Sequence, residues 1–263
     1  MRKYLALGKG SFMIGMVYRF GFIATIAGNI LYMVIAFYLW TSVYEGQEVL
    51  NGLTFDQTFL YVALASTVFI LFNTYVDWIM SYEIRQGTIT NYLVKPIDHQ
   101  LAMLSFGCGR TILNVLIVTL PTAVLLTLVF GVAIQFGVGL LLFPVSLGLA
   151  FLVSFSIDYS IGLSGFYTES IWGLVTVKET LILALSGALI PLQFFPEGLQ
   201  NALLWLPFAA IYHTPLMMIT QPDQDLAVLL ERLGLQVFWV GSLFILSRLF
   251  YNRAIKVLRI AGG

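Results

Sequence analysis

Long uncharged runs dominate the chain, and their lengths set the first expectation. A helix needs about 20 apolar residues to cross the hydrocarbon core of a bilayer. Residues 20–44 carry no charge and qualify, as do residues 57–76, bounded by Asp56 and Asp77. Residues 111–157 form an uncharged run of 47, enough for two spans. Gly131, Gln135, Gly137 and Gly139, followed by Pro144, mark the turn between those two. A fifth span is expected over about residues 175–195, with Lys178 and Glu179 near one interface. The last runs over about residues 228–249, interrupted only by Glu231 and Arg232 at its start.

Between the fifth and last spans lies a segment that is apolar but broken, IPLQFFPEGLQNALLWLPFAAIYHTP, residues 190–215. It carries no charge between Glu197 and Asp223, yet Pro196, Pro207 and Pro215 punctuate it, with Gly198, Gln200, Asn201 and His213 between. Proline removes a backbone donor and kinks a helix, and irregular backbone is not tolerated where lipid faces it. The pattern predicts a helical hairpin that dips into the outer leaflet and returns.

Composition agrees with the spans. Of 263 residues, 59% are hydrophobic and 10% charged, against about a quarter charged in soluble domains. A soluble core of this size cannot hide so much apolar surface, so lipid must cover it. Net charge is zero, but the charges are unevenly placed. In a six-span arrangement, Arg2, Lys3, Lys9, Arg19, Arg85, Lys95, Arg110, Lys178, Arg248, Arg253, Lys256 and Arg259 all fall on one side. These are twelve of the thirteen basic residues, and Arg232 is the exception. Residues 45–56 hold three acids and no base. By the positive-inside rule both termini are expected in the cytoplasm. A seventh span would put the basic C-terminus outside. The expected fold is therefore an all-α integral membrane protein, one transmembrane domain over residues 1–263. It has six transmembrane helices, an N-terminal interfacial helix (1–19), a cytoplasmic loop (81–99) and a re-entrant extracellular hairpin (190–222) between helices five and six.

The chemistry is sparse. The single cysteine, Cys108, rules out an internal disulfide, and no cleavable signal peptide is expected. The N-terminal segment mixes bases with Leu5, Leu7, Phe12, Ile14, Met16 and Val17, which suits a helix lying in the interface. Gly8 and Gly10 weaken that helix, and a simple orienting charge cluster is the other reading. In the loop after the second span, Glu83 and Arg85 flank a helix end, and Gly87 allows a sharp turn. Thr88 can cap a following short helix that Pro96 ends. Such a helix is placed to receive force from a soluble partner; a plain connector is the alternative. The two histidines, His99 and His213, fall on opposite sides of the membrane, so no metal site is expected. The Gly8-Lys9-Gly10 triplet lacks the spacing and hydroxyl of a phosphate cradle. The chain is not expected to hydrolyse nucleotide itself. Asp158 is the deepest ionisable group, and pairing with Lys178 would neutralise both. A proton relay would need more such groups.

These features resemble the membrane subunits of type-2 ATP-binding-cassette exporters, nearest in length and loop style to small bacterial permeases. EIRQGTITNYLVKP, with Glu83, Arg85, Gly87, Thr88 and Pro96, is similar to the family's coupling helix against the ATPase. The 190–215 segment is similar to its re-entrant hairpin, with Pro191, Phe194, Phe195 and Pro196 in the first half. Leu206 and Pro207 stand where the second half-helix is expected. The start ending in Tyr18-Arg19-Phe20 is similar to its interfacial helix. The resemblance implies an ATP-driven exporter subunit in the bacterial inner membrane that works as a dimer with the same or a homologous chain. It implies separate ATPase subunits that hold ATP and magnesium, contact with membrane lipids, and no cofactor on this chain. No nucleic-acid partner is expected. It places the dimer contact and pathway on the first, second and fifth spans, where Asn29, Tyr32, Asn73, Thr74, Ser186 and Gln193 lie. Two other classes are weighed. An ion- or proton-coupled carrier or channel would transport without an ATPase. A lipid-modifying membrane enzyme would need acids or histidines clustered at one interface, and here they are scattered.

Overall fold

The computed structural model describes residues 2–17, 19–132 and 135–257. Tyr18 and Arg259 lie outside the described residues, as does the side chain of Arg19. Helix α1 (Arg2–Gly15) leads into α2 (Arg19–Val43). A small antiparallel hairpin follows, β1 (Val49–Leu50) against β2 (Leu53–Thr54), with Val49 opposite Thr54. Next come α3 (Phe55–Phe72), α4 (Val76–Arg85) and the short α5 (Thr90–Val94). Helix α6 (His99–Asn114) passes through a π-helical stretch (Val115–Thr119) into α7 (Leu120–Val129). The remaining helices are α8 (Val138–Leu163), α9 (Trp172–Leu185), α10 (Glu197–Leu204), α11 (His213–Thr220) and α12 (Leu226–Ala254).

Five helical runs among the described residues are long and apolar enough to cross a bilayer: Phe20–Val43, Phe55–Arg85, His99–Val129, Val138–Phe166 and Leu226–Val257. The chain is an all-α, multi-pass integral membrane protein. Its fifth hydrophobic stretch differs from the expectation of a continuous span to residue 195. Helix α9 has only 14 residues, about 21 Å of helix against a hydrocarbon core of about 30 Å. The chain leaves the helix at Ser186, and Ser186 and Ala188 are buried. Residues 186–188 are covered by protein, and the Ala188 N–H finds the Ser186 hydroxyl at 3.2 Å, while Leu189 and Ile190 are exposed.

Other boundaries move too. The second span continues past Asp77 to Arg85, with a break at residues 73–75 where Tyr75 takes φ +57°. The third begins at His99 rather than residue 111. Gly139 and Pro144, expected in the turn before the fourth span, lie inside α8. Pro121 follows the π-helical stretch, whose wider hydrogen bonding (Leu120 N–H to Val115 O) absorbs the irregularity. Helix α1 forms across Gly8 and Gly10, and Gly8 has a packing role. It lets α1 pack directly on α6, where a Cβ on Gly109 would sit 2.1 Å from the Gly8 carbonyl oxygen.

Helix α3 is the centre of the bundle, with twelve of its 18 residues buried. Thr54 opens it with a reciprocal capping box to Gln57. Where it breaks, Asn114 of α6 donates to the freed carbonyls of Ile70 (2.9 Å) and Leu71 (3.4 Å). Asn29 of α2 donates to Thr122 of α7 (3.2 Å) and accepts from Ser66 of α3 (2.8 Å). In the absence of water these bonds supply what an unpaired polar group would lose.

Candidate functional site

The loop between α4 and α6 folds into a compact joint. Gly87 takes φ +69°, a left-handed conformation that glycine adopts at little cost and that turns the chain beneath α4. Thr88 does not cap the short helix; its hydroxyl donates back to the Glu83 carbonyl at 3.3 Å, and Ile89 occupies the cap position. Thr90 Oγ1 donates to the Gly87 carbonyl at 2.7 Å. Lys95 is extended (φ −102°, ψ 146°) ahead of Pro96, which is what a following proline imposes, and α5 stops there. Arg85 Nη1 donates to the Glu169 carbonyl at 3.3 Å.

Glu83 joins this loop to the bundle. Tyr92 of α5 donates to its Oε1 (3.3 Å), and His99 Nε2 lies 3.6 Å from its Oε2. Burial, reinforced by Glu83, pushes the Tyr92 hydroxyl up to about 12. His99 is buried: its Nδ1 lies 3.0 Å from the Tyr159 hydroxyl of α8, and its ring stacks on Tyr251 of α12. Beside it, Asp98 pairs with Arg248 of α12 at 2.5 Å and caps α6 by accepting from Leu101 N–H. Helix α1 is attached at the same place. Lys3 bonds the Pro96 carbonyl, and Tyr4 OH accepts from Asp98 N–H at 3.0 Å. One short segment thus touches α1, α4, α6, α8 and α12. The sequence marked Glu83 and Gly87 but missed Tyr92, which bonds Glu83 nine positions away, and Asp98 and His99, whose partners Arg248, Tyr159 and Tyr251 lie far along the chain.

Deeper in the bundle, Lys178 of α9 donates to Asp158 of α8 and also to Asp77 of α4, each at 2.7 Å. Asp77 had read as the end of a span, not as part of a charge cluster. Two carboxylates face one ammonium, a formal charge of −1 among side chains at most one-tenth exposed. The triad borders a cavity of about 60 Å³ that also meets Asn73, Trp78 and Tyr212. Phe69 and Leu183 carry that wall into a second cavity of about 410 Å³ beside Asn29 and Ser66. Tyr32 and Leu189 carry it into a third, about 480 Å³, under Trp40, Phe194 and Phe195. The three share wall residues in turn along α2, α3 and the α9 segment, a cleft-like row with charge at one end and aromatic rings at the other. Of the other pathway candidates, Thr74 and Ser186 are buried in the bundle.

The broken apolar segment folds into two short helices, α10 and α11, with a turn of residues 205–212 between them. Leu206 and Pro207 lie in its turn rather than on the second helix, which starts only at His213. Pro191 precedes the 3-10 turn Leu192–Phe194, and Phe195 and Pro196 lead into α10. All eight residues of α11 are buried. Gln236 of α12 holds the turn, donating to the Ala210 carbonyl (2.8 Å) and accepting from Ser146 of α8 (2.9 Å).

A family model described as an ABC-2 family transporter protein matches residues 30–262. The chain belongs to this family. No curated protein matches it. The ABC-2 assignment makes this chain the membrane subunit of a transporter, without a catalytic role of its own. The matched region takes in residues 83–99, the charge triad, α10 and α11, and leaves α1 and the start of α2, with Asn29, outside. In this ABC-2 subunit, the side chains with chemistry gather at the Glu83 loop and at the buried Asp77–Lys178–Asp158 cluster.

Proposed function

We propose that this ABC-2 chain is one membrane half of an ATP-driven exporter of the cell inner membrane. Six crossings place both termini in the cytoplasm, with α9 and the chain to residue 195 together serving as the fifth. Two such chains, identical or homologous, pack through α2 and enclose the cleft as the translocation path. Separate ATPase subunits, which hold ATP and magnesium, bind beneath the loop of residues 81–99. Glu83, Arg85, Gly87, Thr88 and Pro96 shape that loop, and α10 and α11 form the outer gate, hinged at Pro191, Pro196 and Pro207.

The observation that carries this reading is the Glu83 joint. A push on α5 reaches α4 through the Tyr92–Glu83 bond, α8 and α12 through the buried His99, and α1 through Pro96 and Asp98. A plain connector has no need of five anchored helices. The test is ATP hydrolysis and cargo movement by the chain reconstituted with its ATPase. Glu83→Ala and Gly87→Pro are expected to uncouple the two while the chain still inserts and folds, with a melting point lowered by the loosened loop. Proline cannot adopt the φ of +69° found at residue 87. Unchanged coupling in both folded variants overturns the assignment.

The Asp77–Lys178–Asp158 triad favours a second reading, an ion- or proton-coupled carrier, because buried ionisable groups on a cavity wall mark ion pathways. Gradient-driven transport by liposomes containing this chain alone would support it.

A further inference from the structure

A cavity of about 250 Å³ at the hairpin end has no part in the joint or the cleft. It is enclosed by the loop between β1 and β2, the turn after α9, both hairpin helices and the first two turns of α12. Its volume is several times the about 30 Å³ that one water occupies in the liquid. The wall is unusual in its polarity. Four of the ten glutamines of the chain line it, Gln193, Gln200, Gln221 and Gln224, together with His213 and Arg232.

Two buried polar atoms on this wall lack partners. His213 is 6% exposed, and its Nδ1 bonds to nothing. Gln193 Oε1 is likewise unpartnered, while its Nε2 is spent on the sulfur of Met217 at 3.0 Å. Buried polar atoms are nearly always satisfied, so two orphans on residues that line one cavity point to an occupant. Its charge follows from the lining. Arg232 is the one formal charge there; no carboxylate lines the wall, and Arg232 forms no ion pair among the described residues. A metal cation is therefore disfavoured. A guanidinium fork matches oxyanions, and amide side chains supply the further donors such a group needs. Rotating the Gln193 amide would turn its NH2 into the cavity at the cost of one weak N–H···S contact.

We propose that this cavity binds a phosphate oxyanion, with Arg232 as the anchor and His213 Nδ1–H, Gln193 and Gln200 as hydrogen-bond donors. The phosphate comes either as a free anion or as the phosphodiester of a lipid headgroup. An occupant bridges α10, α11 and α12, so binding stabilises the hairpin against opening.

The test is thermal unfolding of the full-length chain, purified in detergent, at constant ionic strength. One arm replaces chloride by inorganic phosphate; the other adds phosphatidylglycerol, with diacylglycerol of the same chains as control. A ligand that binds the folded state raises the unfolding midpoint saturably. A saturable rise with inorganic phosphate identifies the free anion, and a rise with phosphatidylglycerol alone identifies the headgroup. In either arm Arg232→Gln is expected to weaken the apparent affinity at least tenfold. Should that variant fail to fold, Arg232→Lys and Gln200→Leu are each expected to weaken it several-fold. No saturable rise in either arm overturns the proposal, as does an equal rise with diacylglycerol. Variants that respond like the parent overturn it as well, and the cavity then holds water only.

Discussion

Lys178 holds two carboxylates from two other helices at 2.7 Å each, and all three side chains are nearly shielded from water. Taking these charges out of water is costly, and only their mutual bonds offset it. Removing the ammonium leaves two like charges buried together. Lys178→Met is expected to destabilise the fold by about 3–5 kcal/mol, the range for breaking a buried ion pair. The triple variant that adds Asp77→Asn and Asp158→Asn should recover most of that loss, because no buried charge is then uncompensated. Thermal melts of the parent, single and triple variants check this. A triple variant as unstable as the single one would mean that packing of the lysine stem, not charge, holds the site. From the sequence, Asp158 and Lys178 were legible as a pair because both interrupt apolar runs. Asp77 was not, since a charge at the edge of an apolar run looks the same whether it faces water or a partner.

At the level of elements, the ends of helices carry the information. Asp98 both caps α6 and binds Arg248 of α12, so it fastens the end of one helix to the side of another. Burial alone would raise its pKa, but Arg248 and the Leu101 N–H outweigh burial and hold it below the ordinary 3.8. A carboxylate lowered in the folded state contributes stability above its unfolded pKa and loses it as the pH falls through the folded value. The chain should therefore lose part of its stability on acidification below about pH 4. Asp98→Asn keeps the cap but not the charge, so it should be less stable at neutral pH and less sensitive to acid. Melting curves of parent and variant between about pH 7 and pH 3 measure the difference. The same scale explains the span boundaries that hydropathy misplaced. Helix α9 stops early because irregular backbone after it is covered by protein, and α3 breaks where Asn114 satisfies its carbonyls. Hydropathy averages over a window and does not register such local relief.

At the scale of the whole molecule, the proposed six-crossing arrangement would put the loop joint inside and the α10–α11 segment outside. In a Cys108→Ala background, Asn201→Cys on α10 should react with a membrane-impermeant maleimide on intact cells. Asn91→Cys on α5 should react only after permeabilisation. Both positions are exposed, so reactivity reports sidedness rather than burial. Labelling of Asn91→Cys in intact cells would reverse the orientation and remove the basis for an ATPase docking there. The class of protein and its five long apolar helices were readable along the chain, but not their ends: the second runs on to Arg85 and the third begins at His99 rather than residue 111. Hydropathy and charge act through the solvent each residue meets, so they sum locally. The tertiary structure alone decided which polar groups meet: Asp77 with Lys178, 101 positions apart, His99 with Tyr159, and Gln236 with the hairpin turn. Those meetings depend on how helices distant in sequence pack against one another, and spacing within a single helix does not encode that register.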